Sequence, residues 1–203
     1  VQIAKEFGAK VISIPQREFN HGSTRNLGAA EASGELLVFT VQDAMPVNDF
    51  WLCNMIYPFL EHPDLAALSC RQFVSSDADL FYIWSNEGMT QTPGFENDSI
   101  YRVLRVPDEM EWKKFDSVVK RRLAHLDNVS SCIRKSMFKE IQFSPLMYAE
   151  DIDFAMRLFK RGKALGYLAS TGVFHWHTRG ADYELRHHYI GSIAEVKILK
   201  NKI

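Results

Sequence analysis

The sequence has almost no excess of charge of either sign. Its 24 Lys and Arg face 25 Asp and Glu, for a formal net charge of −1. With no basic field to attract a polyanion, nucleic acid is not an expected partner. Cysteine is scarce. The three present, Cys53, Cys70 and Cys132, form no CxxC pair and read as buried apolar residues in a reducing compartment, not as a disulfide framework. No apolar run approaches the roughly 18 residues needed to span a bilayer, and no signal-peptide pattern heads the chain. There is also no internal repeat, no low-complexity tract and no evident linker. The expectation is a soluble, cytoplasmic chain.

What is there suits one domain. The 203 residues are 46% hydrophobic, enough to bury a real core, and residues 1–203 read as a single unit. Val1 is not a methionine, and residues 1–7 have helical spacing with no cap before them, so the chain reads as starting inside a helix, partial at its N-terminus. Gly8 ends that helix, and residues 11–14 read as a strand. Ser23 or Thr24 is a candidate N-cap for a helix ending near Gly34. Leu36–Thr40 is a continuous apolar run, expected to be a strand buried on both faces.

A helix capped by Asn48 or Asp49 follows and stops before Pro63, and then comes a strand at Leu65–Phe73. This alternation predicts an α/β fold with a mostly parallel central sheet. Residues 77–84 and 109–126 contain further helical stretches. Residues 129–134 read as a strand and 136–141 as a short helix. Residues 151–161 have Ile152, Ala155, Met156 and Phe159 at helical spacing, acids in the first turn and Gly162 after the last. Strands at 164–168 and 173–176 and an amphipathic helix from Asp182 complete the chain.

Several residues can carry chemistry. Asp43 follows the strand Leu36–Thr40 directly, and ligands of open α/β sheets bind at the carboxyl ends of strands. A carboxylate there can hold a divalent cation against a diphosphate; it can equally cap a turn. Glu150 and Asp151 head a helix, where the dipole and free amides favour an ionised carboxylate. That describes an available base without a raised pKa, and also simple helix capping. His175 and His177 alternate on a strand, so both imidazoles can face one site or serve in packing. Arg25, near a helix N-terminus, can meet a phosphate or stay solvated.

The order of these features is more specific than any one of them. The stretch Phe19-Asn20-His21-Gly22-Ser23-Thr24-Arg25-Asn26-Leu27-Gly28, followed by Gln42-Asp43-Ala44-x-Pro46, resembles glycosyltransferase family 2 and its rhamnosyltransferase-like members in particular. Residues 129–135, VSSCIRK, are similar to the family's SSxIRR stretch. Residues 148–158, YAEDIDFAMRL, are similar to its EDxDxxxRL motif, and His175-x-His177 completes the order.

The resemblance implies a glycosyltransferase-A fold with a Rossmann-like sheet whose first strands are missing. It implies an inverting enzyme that moves a sugar, rhamnose in the nearest members, from a nucleoside diphosphate sugar to a polysaccharide or lipid-linked acceptor. Asp43 matches the second acid of the family's DxD element, which binds Mg²⁺ or Mn²⁺ on the diphosphate, while Val41 stands where the first acid would be. His177 matches a histidine that helps hold the metal, ahead of His175. Asp151 matches the general base, with Glu150 beside it, and Arg25, Asn26 and Gln42 match positions near the donor nucleotide. Without the family's opening strand, the resemblance implies a weakly stable domain with poor nucleotide binding.

The terminal helix has Leu185, Tyr189, Ile193 and Val196 on one side. That stripe suits either packing on the core, the expected outcome, or peripheral contact with the inner face of a membrane. Three rival readings remain: a metal-dependent hydrolase, a non-catalytic sugar-nucleotide-binding scaffold, and a nucleotidyltransferase on the same sheet.

Overall fold

The computed structural model describes residues 2–78, 80, 82–83, 102–104, 113–177 and 179–200. The expected helix at 77–84 and the start of the one at 109–126 lie largely outside these residues. The described elements are α1 (Gln2–Glu6), a 3-10 turn (Gln16–Glu18), α2 (His21–Glu31), β1 (Leu36–Thr40), β2 (Met45–Pro46), α3 (Trp51–Glu61) and β3 (Leu65–Phe73). They continue with β4 (Arg102–Leu104), α4 (Ser117–Leu123), β5 (Ser130–Arg134), α5 (Lys135–Glu140), α6 (Glu150–Phe159), β6 (Ala164–Phe174) and α7 (Ala181–Lys200).

The sheet has the order β1-β5-β3-β6-β2, with β4 also on β6. Among the described residues only β3 and β6 pair in parallel; every other neighbouring pair is antiparallel. The expectation of a mostly parallel sheet is therefore corrected, and the reason is topological. The β1–α3–β3 crossover does leave β1 and β3 pointing the same way, as a helical connection requires. β5 then arrives from far along the chain and inserts between them in the opposite direction.

Alternation along the strands feeds two cores. Leu68, Cys70, Cys132, Leu168 and Val173 face α3, where Met55 and Phe59 are buried. Ala67, Ile133 and Leu165 face the other way, against Ala29 of α2, Phe138 of α5 and the buried side of α6. Helices on both faces of one sheet make a layered α/β domain. Phe39, Phe138, Phe143 and Phe154 pack ring to ring on the α6 side, with centroids 4.9–6.0 Å apart. Arg134 ties the far layer down: its Nη2 donates to the Phe59 carbonyl at the end of α3 (2.6 Å) and its Nε to the Leu65 carbonyl (2.8 Å).

Local expectations are corrected in five places. Residues 11–14 form no strand; they lie mostly exposed, with no ladder partner among the described residues. The N-cap of α2 is Asn20, whose Oδ1 accepts from Ser23 N–H at 3.0 Å, so the helix begins earlier than expected. β1 is only partly buried, and among the described residues it pairs with β5 alone. The two terminal strands are one, β6, interrupted by a bulge opposite Cys70 and Arg71. Cys53 is exposed, while Cys70 and Cys132 are buried thiols as expected.

Candidate active site and its metal-ligand cluster

β1 ends at Thr40, and the chain turns through Gln42 and Asp43, with Ala44 N–H donating to the Val41 carbonyl at 3.3 Å. Met45 and Pro46 then pair with Phe174 and Val173, which seats this turn against the end of β6. On the other side of β6, the ladder to β3 runs to Phe73, and His175 N–H donates to the Phe73 carbonyl at 3.0 Å. Two ladders thus hold Asp43 and His175 together across 132 positions (175 minus 43). His175 Nε2 lies 3.6 Å from one Asp43 oxygen and His177 Nε2 3.8 Å from the other. One ligand atom from each of the three residues falls within a 4.8 Å cluster.

The donor set suits a divalent ion. Asp43 offers a hard oxygen, and the histidines offer two ring nitrogens. Burial, reinforced by the neighbouring His177, lowers the His175 pKa, with Asp43 pulling the other way, and this favours the neutral imidazole that a metal needs. Two imidazoles with one carboxylate fit Mn²⁺ better than Mg²⁺, which favours all-oxygen coordination. His175, placed second to His177 by sequence, is the more buried of the two. Val41 contributes only backbone: its N–H donates to the Val129 carbonyl at 3.4 Å.

Two residues in this cluster carry no sequence signal. Gln72 Oε1 lies 2.9 Å from His175 Nδ1, and Gln72 Nε2 donates to Asp127 Oδ2. Asp127 stands in the turn before β5, where its Oδ1 accepts from Val129 N–H at 2.9 Å.

The second acidic group sits at the head of α6. Ala149, the residue before it, adopts a left-handed backbone with φ of 61°, the one described non-glycine residue to do so. Glu150 turns inward. Its Oε1 accepts from Arg25 Nη1 at 2.5 Å and Asn128 Nδ2 at 3.3 Å, and its side chain is 7% exposed. Among the described residues, Asp151 accepts one hydrogen bond, from the Ile152 N–H at 2.8 Å. Its pKa is pushed up to about 7, first by burial, then by the charges of Glu150 and Asp127. This corrects the expectation of an unshifted base: desolvation outweighs the helix dipole. The charge of Asp127 acts on both His175 and Asp151, so the cluster and the acid share one region of the domain.

Of the three residues expected near the donor, Gln42 is exposed in the turn beside Asp43. Arg25 and Asn26 are committed to the domain. Arg25 pairs with Glu150, while Asn26 clasps the Phe143 backbone twice, donating to its carbonyl at 2.9 Å and accepting from its N–H at 3.0 Å. Gly22 completes the clasp, because a Cβ there would lie 2.1 Å from the Ser144 carbonyl oxygen. The block from Asn20 to Asn26 thus locks α2 to the segment that delivers Glu150 and Asp151.

The sequence profile of the family "Glycosyl transferase family 2" matches residues 1–141. The chain belongs to this family. It is 26% identical over 170 residues to the O-antigen chain rhamnosyltransferase RfbN of Salmonella typhimurium, covering 82% of this chain and 49% of that protein. It is 25% identical over 190 residues to the O-antigen chain rhamnosyltransferase WbaN of Salmonella anatum, covering 92% and 56%. The chain therefore spans about half the length of the curated relatives it matches. Among solved structures, it resembles glucosyl-3-phosphoglycerate synthase from Mycobacterium tuberculosis in complex with Mn²⁺, UDP-glucose and phosphoglyceric acid (TM-score 0.61, 15% identity, 97% of this chain and 62% of that one). It also resembles S. aureus TarS 1–349 (TM-score 0.57, 17% identity, 99% and 52%). These likenesses establish the glycosyltransferase-A fold.

On this family 2 domain a further cleft of about 550 Å³ opens between α6 and α7, lined by Tyr148, Met156, Arg157, Lys160, Ile190 and Lys197 among others. It shares no residue with the Asp43 cluster. The stripe on α7 does not pack as expected: Leu185 is 72% and Tyr189 67% exposed, with Ile193 and Val196 exposed to a lesser degree. α7 is held near its C-terminal end, by Ile198 and Leu199 on the core and by the Arg121–Glu195 ion pair at 3.0 Å. Among the described residues no helix is long and apolar enough to cross a membrane.

Proposed function

We propose that this chain is the catalytic part of an inverting glycosyltransferase that moves a sugar, rhamnose in the first instance, from a nucleoside diphosphate sugar to a growing polysaccharide or lipid-linked glycan. The observation that carries the reading is the meeting of Asp43, His175 and His177 at the carboxyl ends of β1 and β6, with Asp151 in the same region. The two rhamnosyltransferase relatives support the sugar and the acceptor class, and the Mn²⁺ and UDP-glucose named for the mycobacterial structure support a metal and a nucleotide sugar.

Asp43, His175 and His177 would hold a divalent ion, Mn²⁺ ahead of Mg²⁺, and the ion when bound supplies positive charge to a leaving diphosphate. Asp151 takes the proton of the acceptor hydroxyl. The acceptor oxygen forms its bond to the anomeric carbon as the bond to the diphosphate breaks on the opposite face, so configuration inverts in one displacement. A base whose pKa lies near the working pH is suited to that transfer. Glu150, paired with Arg25, fixes the start of α6 and leaves Asp151 as the acid available to the acceptor. The cleft between α6 and α7 and the exposed Leu185 and Tyr189 support acceptor handling at a membrane surface on the cytoplasmic side.

The test is nucleoside diphosphate release from a panel of nucleotide sugars with Mn²⁺, with and without lipid-linked acceptor, alongside an Asp151→Asn variant and a chelated control. Release that needs acceptor, metal and Asp151 supports the proposal. Fast release without acceptor makes the chain a hydrolase. Donor binding with no turnover in any mixture makes it a scaffold subunit, the reading that Val41 in place of the first acid favours.

A further inference from the structure

We infer that Gln72 and Asp127 are positioning residues that fix the tautomer of His175 and so aim its lone pair at the metal centre; this rests on the metal-dependent reading above. The argument is one of donor and acceptor parity. An amide side chain has one accepting end and one donating end, and which faces which is decided by its neighbours. Asp127 spends Oδ1 on the Val129 N–H and turns Oδ2 to Gln72. A carboxylate only accepts, so Gln72 must turn its NH₂ to Asp127 and its carbonyl oxygen to His175. Nδ1 of His175, 2.9 Å from that oxygen, must then carry the ring proton. Nε2 is left bare, facing Asp43 at 3.6 Å. The other tautomer would point an N–H into the cluster and remove one ligand. Partners of this kind on a ligating histidine typically change metal affinity about 10–100-fold when lost.

The same parity makes an unusual forecast for Asp127→Asn. Its oxygen stays on the Val129 N–H, so its NH₂ now faces Gln72. Gln72 must flip, its NH₂ then donates to His175 Nδ1, and the ring proton moves to Nε2. A substitution that deletes no contact thus inverts the chain of hydrogen bonds. Gln72→Leu removes the acceptor and leaves the tautomer unfixed.

The experiment uses the whole chain, ¹⁵N-labelled, at pH 8 without metal. The long-range proton–nitrogen spectrum of the imidazoles identifies His175 by its loss in His175→Gln. Expected are the Nδ1–H form in the unaltered protein, the Nε2–H form in Asp127→Asn and a mixture in Gln72→Leu. Free Mn²⁺, read by electron paramagnetic resonance, should show both variants binding about 10–100-fold more weakly, with unchanged melting in the absence of metal. An Nε2–H form in the unaltered protein, or the same tautomer in all three, overturns the inference. So do switched tautomers with unchanged Mn²⁺ affinity. The expected tautomers in an unaltered protein that takes no Mn²⁺ overturn the metal-dependent reading, and with it the positioning role.

Discussion

Arg25 Nη1 lies 2.5 Å from Glu150 Oε1, an ion pair that joins the middle of α2 to the first residue of α6. Among the described residues Glu150 has a cation in direct contact and Asp151 has none, which supports Asp151 as the acid left for chemistry under the proposed function. Arg25→Ala strands a carboxylate whose side chain is only 7% exposed. Removing one member of a buried pair typically costs about 3–5 kcal/mol, and urea unfolding should show a loss of that order. Arg25→Met with Glu150→Gln should recover most of it, since neither charge is then stranded.

Asp151 makes the fold and the activity respond oppositely to pH. Its folded pKa, about 7, lies above the ordinary 3.8, so the native state holds the proton more tightly than the unfolded chain. Stability from this group is therefore full below about pH 4 and lost as pH rises toward 7. Under the proposed mechanism transfer needs the ionised form, and the rate should climb about tenfold per pH unit up to about pH 7. Asp151→Asn should cut turnover by about 10²–10⁴ yet raise the melting temperature at pH 8. A variant that keeps its rate removes Asp151 from the role.

Metal dependence should follow the donor set. Asp43→Asn takes the only negative charge from a cluster of one carboxylate and two imidazoles. Mn²⁺ binding by titration calorimetry should weaken more than in any outer-shell variant, beyond about 100-fold. Mn²⁺ should support transfer better than Mg²⁺ in the unaltered protein, and equal support from both would argue for all-oxygen ligation.

Gly172 lets β6 bulge against β3, and a Cβ there would stand 1.8 Å from the Arg71 carbonyl oxygen. Backbone cannot yield as a flexible side-chain tip does. Gly172→Ala should destabilise by about 3 kcal/mol in chemical unfolding. It should also weaken Mn²⁺ binding, because the displaced strand carries His175.

The exposed stripe on α7 gives a cleaner separation of surface from core. Leu185→Asp with Tyr189→Asp should change unfolding free energy by no more than about 0.5 kcal/mol per site. The same pair should abolish co-sedimentation with vesicles containing anionic phospholipid if α7 meets a membrane.

How much of this was legible in the sequence depended on how local each feature is. α6 was read nearly to its ends, because its apolar spacing, its acids and Gly162 are all local signals. Residues 11–14 have strand-forming side chains but no ladder partner among the described residues, and a partner is something no local pattern reports. The direction of β1 and β3 was legible from their helical crossover, whereas the insertion of β5 between them was not. Motif order picks out Asp43 and His177 as candidates, and the structure brings them together with His175. Gln72 and Asp127 were invisible because each matters only through a side chain reached across the fold. The block around Arg25 and Asn26 was legible as specific, but its contacts show it holding α2 to Glu150 and the Phe143 backbone.

The pairing of Met45–Pro46 with Val173–Phe174 has a kinetic consequence. Gln72 and His175 are 103 positions apart, and Asp43 lies further still from its partners. Contacts of such separation carry a large loop-closure cost and tend to form after local structure. The cluster therefore assembles only once β6 has docked. A half-folded chain has no assembled centre, and under the proposed function it could not squander activated sugar on water before an acceptor surface exists.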